Sequence, residues 1–305
     1  MESDKSLMRG KVLCAVGCQG KGIILGVVSF GGSHGPAGLP SRASGANHVR
    51  RPVYAEAVSH GQFSTGDPYQ PGLPPHRVLL DETDWGALQT AFGSGENLPD
   101  ILLRLLEPDP AVQVAALSEL GELVHHQNTI YEATAPAVMY VASILHHPAA
   151  MTLRPYRSIP VRATMLYWLA SVAYDASDET VARLEQYCPG FLAPGTTMAA
   201  FRELRPMLYR AVTPFLQDGH EDVREAAVIA VLVLAEHAAL AAHRDHLAVH
   251  ARRILGISSV ITNRRIAWRA LEAWGHTPPG SEPLWEEPWD QGPHTDGRGD
   301  LEPPF

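Results

Sequence analysis

The sequence predicts an all-α fold, an α-solenoid of about four to five helical-hairpin repeats between disordered N- and C-terminal tails. Apolar residues recur at steps of three and four between residues 75 and 276, which is the period of a helix face. No run in that region alternates apolar and polar residues over the length of a strand. Similar helices also return at intervals of a few tens of residues, as they do in repeat proteins.

The composition fits a globular protein. Of its 305 residues, 45% are apolar, which is enough for a packed core. The three cysteines, Cys14, Cys18 and Cys188, are too few for a disulfide framework and fit a reducing cytoplasm, where we expect the protein to reside. No apolar run approaches the roughly 18 residues of a membrane span.

The net charge of −9 is distributed unevenly along the chain. Residues 1–74 carry 7 basic and 4 acidic groups, residues 75–276 carry 16 and 22, and residues 277–305 carry 1 and 7. A net acidic helical region lacks the broad basic surface by which proteins bind nucleic acid. The charge therefore favours a protein partner over nucleic acid.

Both ends of the chain have the composition of tails. Residues 1–74 are rich in Gly, Ser, Pro and His without any period, and residues 277–305 are rich in Pro, Gly and acidic groups. Such compositions are typical of disordered segments. The apolar run after Arg9 and Lys11 is shorter than the about seven to fifteen residues of an export signal, which favours a tail. The helical domain is accordingly predicted over residues 75–276.

The domain is expected to begin with short helices. Asp84 would cap a helix over Trp85–Phe92 that ends at Gly93-Ser94-Gly95. Pro99 would then start a helix that carries four leucines.

The clearest helix follows the acidic turn Glu107–Pro110. Asp109 is a plausible N-cap and Pro110 occupies the first helical position. One face of this helix is apolar and comprises Val112, Ala116, Leu120, Leu123 and Val124.

Later helices follow from the same period. Thr134 and Asp178 are expected to cap two of them, and the prolines at 206 and 214 should break or kink the helix in 198–217. The others are predicted over Ile159–Tyr174, Val223–Ala239, about His243–Leu255 and Asn263–Trp274.

One pattern of apolar residues occurs four times. Val112 is followed by Ala116, Leu117 and Leu120, and equivalent residues follow Val161, Val223 and Ile266. The starting positions differ by 49, 62 and 43 residues. A helix pair that recurs at about 40–47 residues is typical of a solenoid, and the longer intervals indicate inserted loops.

These residues resemble a known family. Leu105 to Gly121 is similar to the HEAT-repeat pattern Leu-Leu-x-Asp-Pro-x-Val-Arg-x-x-Ala-Leu-x-x-Leu-Gly, except that Gln113 replaces the Arg. The segments Asp84–Leu88, Ser94–Pro99 and His126–Val138 resemble a group of uncharacterised bacterial HEAT-repeat proteins, of the actinobacterial type. The resemblance covers about residues 77–276. It implies the fold and no particular reaction.

The connector after the clearest helix is the most distinctive polar segment. His126, Gln127, Asn128, Thr129 and Tyr131 offer donors and acceptors for a partner, but the same residue types also satisfy the backbone of turns. Further candidates for partner binding are Arg162 and Arg224, which follow Val161 and Val223, and Trp285 and Trp289 in the acidic tail. The two tryptophans could instead cover the apolar face of the last helix.

The chain's 15 histidines raise the question of a metal site. His243, His246 and His250 are the best cluster, since their spacing would place them on one helix face. The adjacent Glu of a metallohydrolase helix is missing, and a solvated helix face explains the cluster equally well. We expect no cofactor.

The leading functional hypothesis is a non-enzymatic protein-binding scaffold or adaptor that uses the solenoid surface. One concrete variety is an immunity-type inhibitor, whose acidic surface would suit a basic toxin. The alternative is a HEAT-like nucleic-acid enzyme of the DNA glycosylase type, whose basic face would come from arginines near the C-terminal end of the domain. Those arginines are Arg252, Arg253, Arg264, Arg265 and Arg269. No catalytic residue and no oligomeric state are assigned.

Overall fold

The computed structural model describes residues 72–154 and 159–283, and the described chain is predominantly helical. The prediction of an all-α class is confirmed at that level, whereas the solenoid arrangement and the number of repeats remain predictions. The expected disordered tails fall largely outside the described residues. The chain divides into two compact units, Met1–Leu247 and Ala248–Phe305, which are described separately below.

The helices of the first unit are short to medium in length, and most are followed by a turn or a 3₁₀ segment. They are α1 (His76–Glu82), α2 (Leu98–Arg104), α3 (Pro110–Val124), α4 (Thr134–Ser143), α5 (Val161–Asp175), α6 (Asp178–Tyr187), α7 (Thr197–Glu203), α8 (Arg205–Val212) and α9 (Glu221–Leu234). The 3₁₀ segments are Trp85–Ala87, His126–Asn128, Pro148–Met151, Thr213–Gln217 and Ala238–His243.

A small antiparallel hairpin lies between α1 and α2. Its strands are β1 (Gln89–Thr90) and β2 (Gly93–Ser94), with Gln89 opposite Ser94 and Thr90 opposite Gly93. The helix expected over Trp85–Phe92 is therefore wrong, because only the 3₁₀ turn Trp85–Ala87 forms and Asp84 makes no capping bond. Contacts with residues far along the chain, described below, fix the hairpin and override the local preference for helix.

The first helical hairpin matches its sequence closely. The Asp109 carboxylate accepts a hydrogen bond from the Ala111 amide at 2.8 Å, so the predicted N-cap of α3 is confirmed. Ala116, Leu120 and Val124 on the predicted face are fully buried. The helices α2 and α3 pack against each other across the acidic turn.

Two of the other predicted caps differ in detail. Thr134 is the first residue of α4, whose N-cap is Ala133, and its side chain makes no capping bond. The cap of α6 is Ser177 rather than Asp178, because the Ser177 hydroxyl accepts from the Thr180 amide. The break expected at the two prolines is confirmed, since α7 ends at Glu203 and α8 gives way to a 3₁₀ segment after Val212.

The core of this unit is built around two almost wholly buried helices. Every residue of α4 from Thr134 to Ala142 is buried, and so is the run Ala226–Ala235, which includes the end of α9. A helix that is apolar on all sides is stable only when other elements cover it. Accordingly, α9 packs along α5 and against α8, and α4 packs against α1, α5 and α8.

The second unit contains the last helix of the described chain. The helix α10 (Arg244–Ile257) includes the boundary between the units, and α11 (Ile261–Ala273) follows it. Ala251 and Ile254 of α10 and Ala267 and Leu271 of α11 are buried. Residues 277–283 continue without regular secondary structure.

Candidate functional site

The connector between α3 and α4 has an unusual backbone. Gln127 (φ 50°, ψ 40°) and Asn128 (φ 61°) both adopt the left-handed conformation, and both side chains are exposed. They are the two non-glycine residues with positive φ in the described chain. This conformation is sterically unfavourable for residues with a Cβ, although Asn tolerates it better than most. Such strain persists where the surrounding structure fixes it, and it is common at functional sites.

Buried hydrogen bonds hold this connector in place. The Thr134 hydroxyl accepts from the Tyr131 amide at 2.7 Å and donates to the Val124 carbonyl, which ties the connector to the end of α3. The Tyr131 ring is buried, which raises the pKa of its phenol, and the hydroxyl donates to the His126 carbonyl at 3.4 Å. Thr129 is buried as well. Of the predicted connector residues, these two therefore belong to its framework, while His126, Gln127 and Asn128 lie at its surface.

The hairpin docks beside this connector. The Ala91 amide donates to the Leu123 carbonyl of α3 at 2.8 Å, and the Ala133 amide donates to the Gln89 carbonyl at 3.1 Å. On the other side of the same residue, the Gln89 amide donates to the Glu132 carboxylate at 3.0 Å. These bonds position the tip of the hairpin over the end of α3.

Phe92 projects from the tip of the hairpin. Its ring lies 5.0 Å from the His126 imidazole, centroid to centroid, at 61°, and 67% of the residue is exposed. The Nδ1 atom of His126 lies 2.9 Å from the Glu122 carboxylate, one turn back on α3. We call Phe92, Glu122, His126, Gln127 and Asn128 together the hairpin–connector surface. The sequence predicts a helix at Phe92, so this residue is not among the predicted site residues.

The two arginines predicted to contact a partner are used inside the first unit. Arg162 is buried, and its Nε donates to the Leu145 carbonyl at the end of α4 at 2.7 Å. It also pairs with Asp218 at 3.0 Å and lies 4.9 Å from the centre of the Phe215 ring. Arg224 donates to the carbonyls of Asp218 and Gly219. Both side chains thus form hydrogen bonds within the first unit, and contact of either with a partner stays a prediction.

Gln113 follows Val112 in the sequence as Arg162 follows Val161 and Arg224 follows Val223, and its side chain also bonds to backbone carbonyls. Its side-chain amide is fully buried and donates to the carbonyls of Leu105 (3.1 Å) and Ala149 (2.9 Å). The Thr152 hydroxyl donates to the Gln113 carbonyl oxygen. A long side chain that supplies donors to backbone carbonyls at this position is therefore common to Gln113, Arg162 and Arg224.

A partly buried pair of charges, Arg205 and Glu236, is not predicted from the sequence. Arg205, at the start of α8, is fully buried and donates to the carbonyls of Ala173 (2.9 Å) and Ala176 (2.6 Å) at the end of α5. Its guanidinium lies 3.2 Å from the Glu236 carboxylate, which also accepts from the Asp178 amide at 2.9 Å. Burial lowers the pKa of Arg205 and raises that of Glu236, and their mutual attraction opposes both shifts.

The histidine cluster proposed for a metal is not on one helix. His243 belongs to the 3₁₀ segment before α10, where its ring lies 5.1 Å from that of Tyr209. Only His246 and His250 lie on α10. The three histidines therefore do not share one α-helix, and no group of three or more His, Cys, Asp or Glu residues suited to hold a metal occurs in the described part of the chain.

Within the second unit, the C-terminal segment contacts α11. The Glu282 carboxylate accepts from Nε of Arg265 at 3.2 Å and from Nε of Arg269 at 2.7 Å. Another of the five arginines assigned to a nucleic-acid face, Arg252, lies 3.5 Å from the His276 imidazole. The partner candidates Trp285 and Trp289 lie outside the described residues.

Comparisons with protein-family models, with curated proteins and with solved structures found no match. The resemblance to HEAT-repeat proteins thus remains a prediction from the motifs quoted above. Over the described ranges, no helix combines the length and apolarity needed to cross a membrane.

Proposed function

We propose that the protein is a non-enzymatic scaffold or adaptor that binds a protein partner through the hairpin–connector surface. The observation that carries this proposal is the exposed Phe92 ring, held against His126 beside two strained, exposed residues. A single exposed apolar residue is ordinary on a protein surface. Here the ring is fixed by a docked hairpin and an aromatic contact, and preorganised aromatic residues are favoured as anchors in protein interfaces.

The polar groups around Phe92 fit the rim of such an interface. Gln127 and Asn128 present side-chain amides, and their backbone is fixed by the bonds that anchor the connector, so little ordering is needed when a partner binds. The side chain of Glu122 is 67% exposed and places a negative charge beside the aromatic pair. This arrangement suits a partner that offers an apolar pocket and a basic group.

The charge of the chain supports a basic partner more generally. Residues 75–276 carry six more acidic than basic groups. Several arginines also donate hydrogen bonds to backbone carbonyls near helix ends, as described for Arg162, Arg205 and Arg224. These side chains therefore add less positive charge to the surface. An immunity-type inhibitor of a basic toxin is one concrete form of the proposal, because complementary charge speeds association and selects the partner.

The experiment that tests the proposal compares two exposed aromatic residues. Phe92 is 67% exposed and Tyr187, at the end of α6, is 69% exposed. The full chain, Phe92→Ser and Tyr187→Ser are used as baits in a native lysate. We expect one stoichiometric protein to be retained by the wild type and by Tyr187→Ser and to be lost with Phe92→Ser, because truncating an interface anchor typically costs more than about 1 kcal/mol.

Retention of the same proteins by all three baits would overturn the assignment of this surface. The alternative, an enzyme of the DNA glycosylase type, predicts salt-sensitive DNA binding and release of a base. DNA binding at low salt together with base release by the wild-type chain would therefore contradict the scaffold proposal itself.

A further inference from the structure

The turn between α10 and α11, in the second unit, exposes apolar side chains. Ile257 at the end of α10 is 52% exposed, and Val260 just before α11 is 47% exposed. Ile261, the first residue of α11, is partly exposed as well. Single apolar residues are common on protein surfaces, but here three of them lie within five residues of the chain. Such a surface is stabilised when another apolar group covers it.

The segment that follows α11 runs back towards this turn. The His276 amide donates to the Leu271 carbonyl at 2.9 Å, near the end of the helix. Six residues later, the Glu282 carboxylate accepts from Nε of Arg269 and, nearer the start of the helix, from Nε of Arg265. The described segment therefore follows α11 in the direction of its first residue.

Little further chain is needed to reach the turn. Ile261 precedes Arg265 by four residues, so the two side chains leave the same face of α11, about 6 Å apart along its axis. Each residue of an extended chain spans up to about 3.3–3.6 Å. Leu284 and Trp285 come two and three residues after Glu282, so either can reach Ile261.

The side chains of the following segment complement those of the turn. Residues 284–287 are Leu, Trp, Glu and Glu, so two apolar groups precede two carboxylates. On α10, the exposed Arg253 lies one helical turn before Ile257, which places a guanidinium beside the apolar residues. Residues 248–283 carry five arginines and two carboxylates, whereas residues 284–305 carry one arginine and six carboxylates. The two parts of this unit thus have opposite net charge and attract each other.

We propose that the turn surface, formed by Arg253, Ile257, Val260 and Ile261, is the docking site for residues 284–287 of the same chain. The indole ring of this segment covers the three apolar residues, and its two carboxylates lie near the guanidinium. A tryptophan ring contributes a large apolar area to such a contact. The preceding ion pairs with α11 hold the segment close to the surface, which raises its effective concentration there.

An occupant from the same chain is favoured over a second copy of this surface. Self-association would bring Arg253 of one copy near Arg253 of the other, and like charges across an interface are unfavourable. Docking also changes the role expected for Trp285. Its side chain then serves an intramolecular contact, and the turn surface is closed to other partners while the segment is bound.

Amide hydrogen exchange of the full chain, followed by mass spectrometry, tests the proposal. The informative peptide covers residues 254–264, where the Ser258 amide bonds to the Ile254 carbonyl and the Arg264 amide bonds to the Val260 carbonyl. These amides exchange when the turn opens locally. A docked segment opposes this opening and therefore slows their exchange.

Substitutions of the two tail tryptophans provide the comparison. Trp285→Ser removes the docking ring, and we expect exchange in the informative peptide to become about two- to fivefold faster than in the wild type. Trp285→Phe keeps an apolar ring and should retain most of the protection. Trp289→Ser is the matched control, since it changes the same residue type four positions further along the acidic segment. We expect it to exchange as the wild type does.

Ile257→Ser tests whether the ring contacts the turn surface. If it does, adding Trp285→Ser to Ile257→Ser should have little further effect, because the contact is already lost. Fully additive effects, equal exchange in the wild type and Trp285→Ser, or equal acceleration by Trp289→Ser would each overturn the proposal. Unchanged exchange in α3 serves as the control for folding. If Ile257→Ser fails to fold, the comparison of the two tryptophan variants still decides.

Measurement at two protein concentrations, about tenfold apart, shows which chain supplies the segment. Docking within one chain does not depend on concentration, whereas docking of a second chain increases by mass action. Slower exchange of the wild type at the higher concentration would overturn the intramolecular proposal in favour of a second copy. None of these measurements uses the hairpin–connector surface, so their outcome and that of the scaffold proposal are distinguishable.

Discussion

At the scale of single residues, Gly95 has the least space for a side chain among the glycines that the structure describes. A Cβ on this residue would lie 2.8 Å from the Trp85 carbonyl oxygen and 2.8 Å from Cδ1 of Leu98. The first contact is with backbone, which cannot move aside as a flexible side chain can. We expect Gly95→Ala to lower the free energy of unfolding by about 1–3 kcal/mol, the usual cost of overpacking, as measured by urea denaturation.

Gly86 provides the matched control for this prediction. A Cβ there would meet its nearest neighbour, Oδ1 of Asp84, at 3.9 Å, which is an ordinary contact. Because alanine also reduces the entropy of the unfolded chain, Gly86→Ala should leave stability unchanged or raise it slightly. Equal losses of stability in the two variants would contradict this explanation. They would show that the short distances around Gly95 are not the reason why the position requires glycine.

At the scale of elements, Thr134 joins α3, the connector and α4. Its hydroxyl is buried and satisfies both the Tyr131 amide and the Val124 carbonyl. Thr134→Val keeps the shape of the side chain but removes both bonds, and a buried group left without its bond costs about 1–3 kcal/mol. We expect a loss of that size in thermal or urea unfolding.

A hydroxyl that bonds to one carbonyl of its own helix serves as the comparison for Thr134. Ser143 donates to the Tyr140 carbonyl at 2.7 Å and is only partly buried, so Ser143→Ala should cost clearly less than Thr134→Val. The reverse order would contradict the role assigned to Thr134. Phe92→Ser, which leaves these bonds intact, should lose partner binding without a comparable loss of stability.

The elements that could be predicted are those whose signals are local. The predicted starts of α3, α5 and α9 agree with the observed ones to within a few residues. This is because a 3.6-residue period and caps such as Asp109 depend only on residues that are close in sequence. The hairpin was missed because its determinants are distant. The Gln89 amide bonds to a carboxylate 43 residues away, and the Ala91 amide bonds to α3.

The candidate site could be predicted only in part for the same reason. The polar composition of the connector is recognisable in the sequence, and Gln127 and Asn128 are exposed in the structure. Phe92 could not be added to it without knowing the hairpin. Arg162 looked available for a partner, but whether an arginine meets solvent or a helix end depends on packing, here on the Leu145 carbonyl.

At the scale of the whole molecule, some arginine side chains bind backbone carbonyls at helix ends and are not available on the surface. Arg205 donates to carbonyls at the end of α5, and Arg244 donates to the carbonyls of Ala235 and Glu236 just after α9. A cation there is favoured by the helix dipole and by the carbonyls that lack partners within the helix. The number of arginines in the sequence therefore overstates the basic surface available to nucleic acid.

The partly buried carboxyl of Glu236 makes stability depend on pH. Because burial raises its pKa in the folded chain, the stability it contributes is present below its ordinary pKa of 4.5 and is lost as the pH rises through the raised value. Glu236→Gln cannot titrate there. We expect the free energy of unfolding of the wild type, relative to this variant, to fall as the pH rises above 4.5 in urea titrations. The exposed Glu107→Gln variant corrects for the change in net charge, and a relative stability that stayed flat or rose over this range would show that Arg205 outweighs the cost of burial.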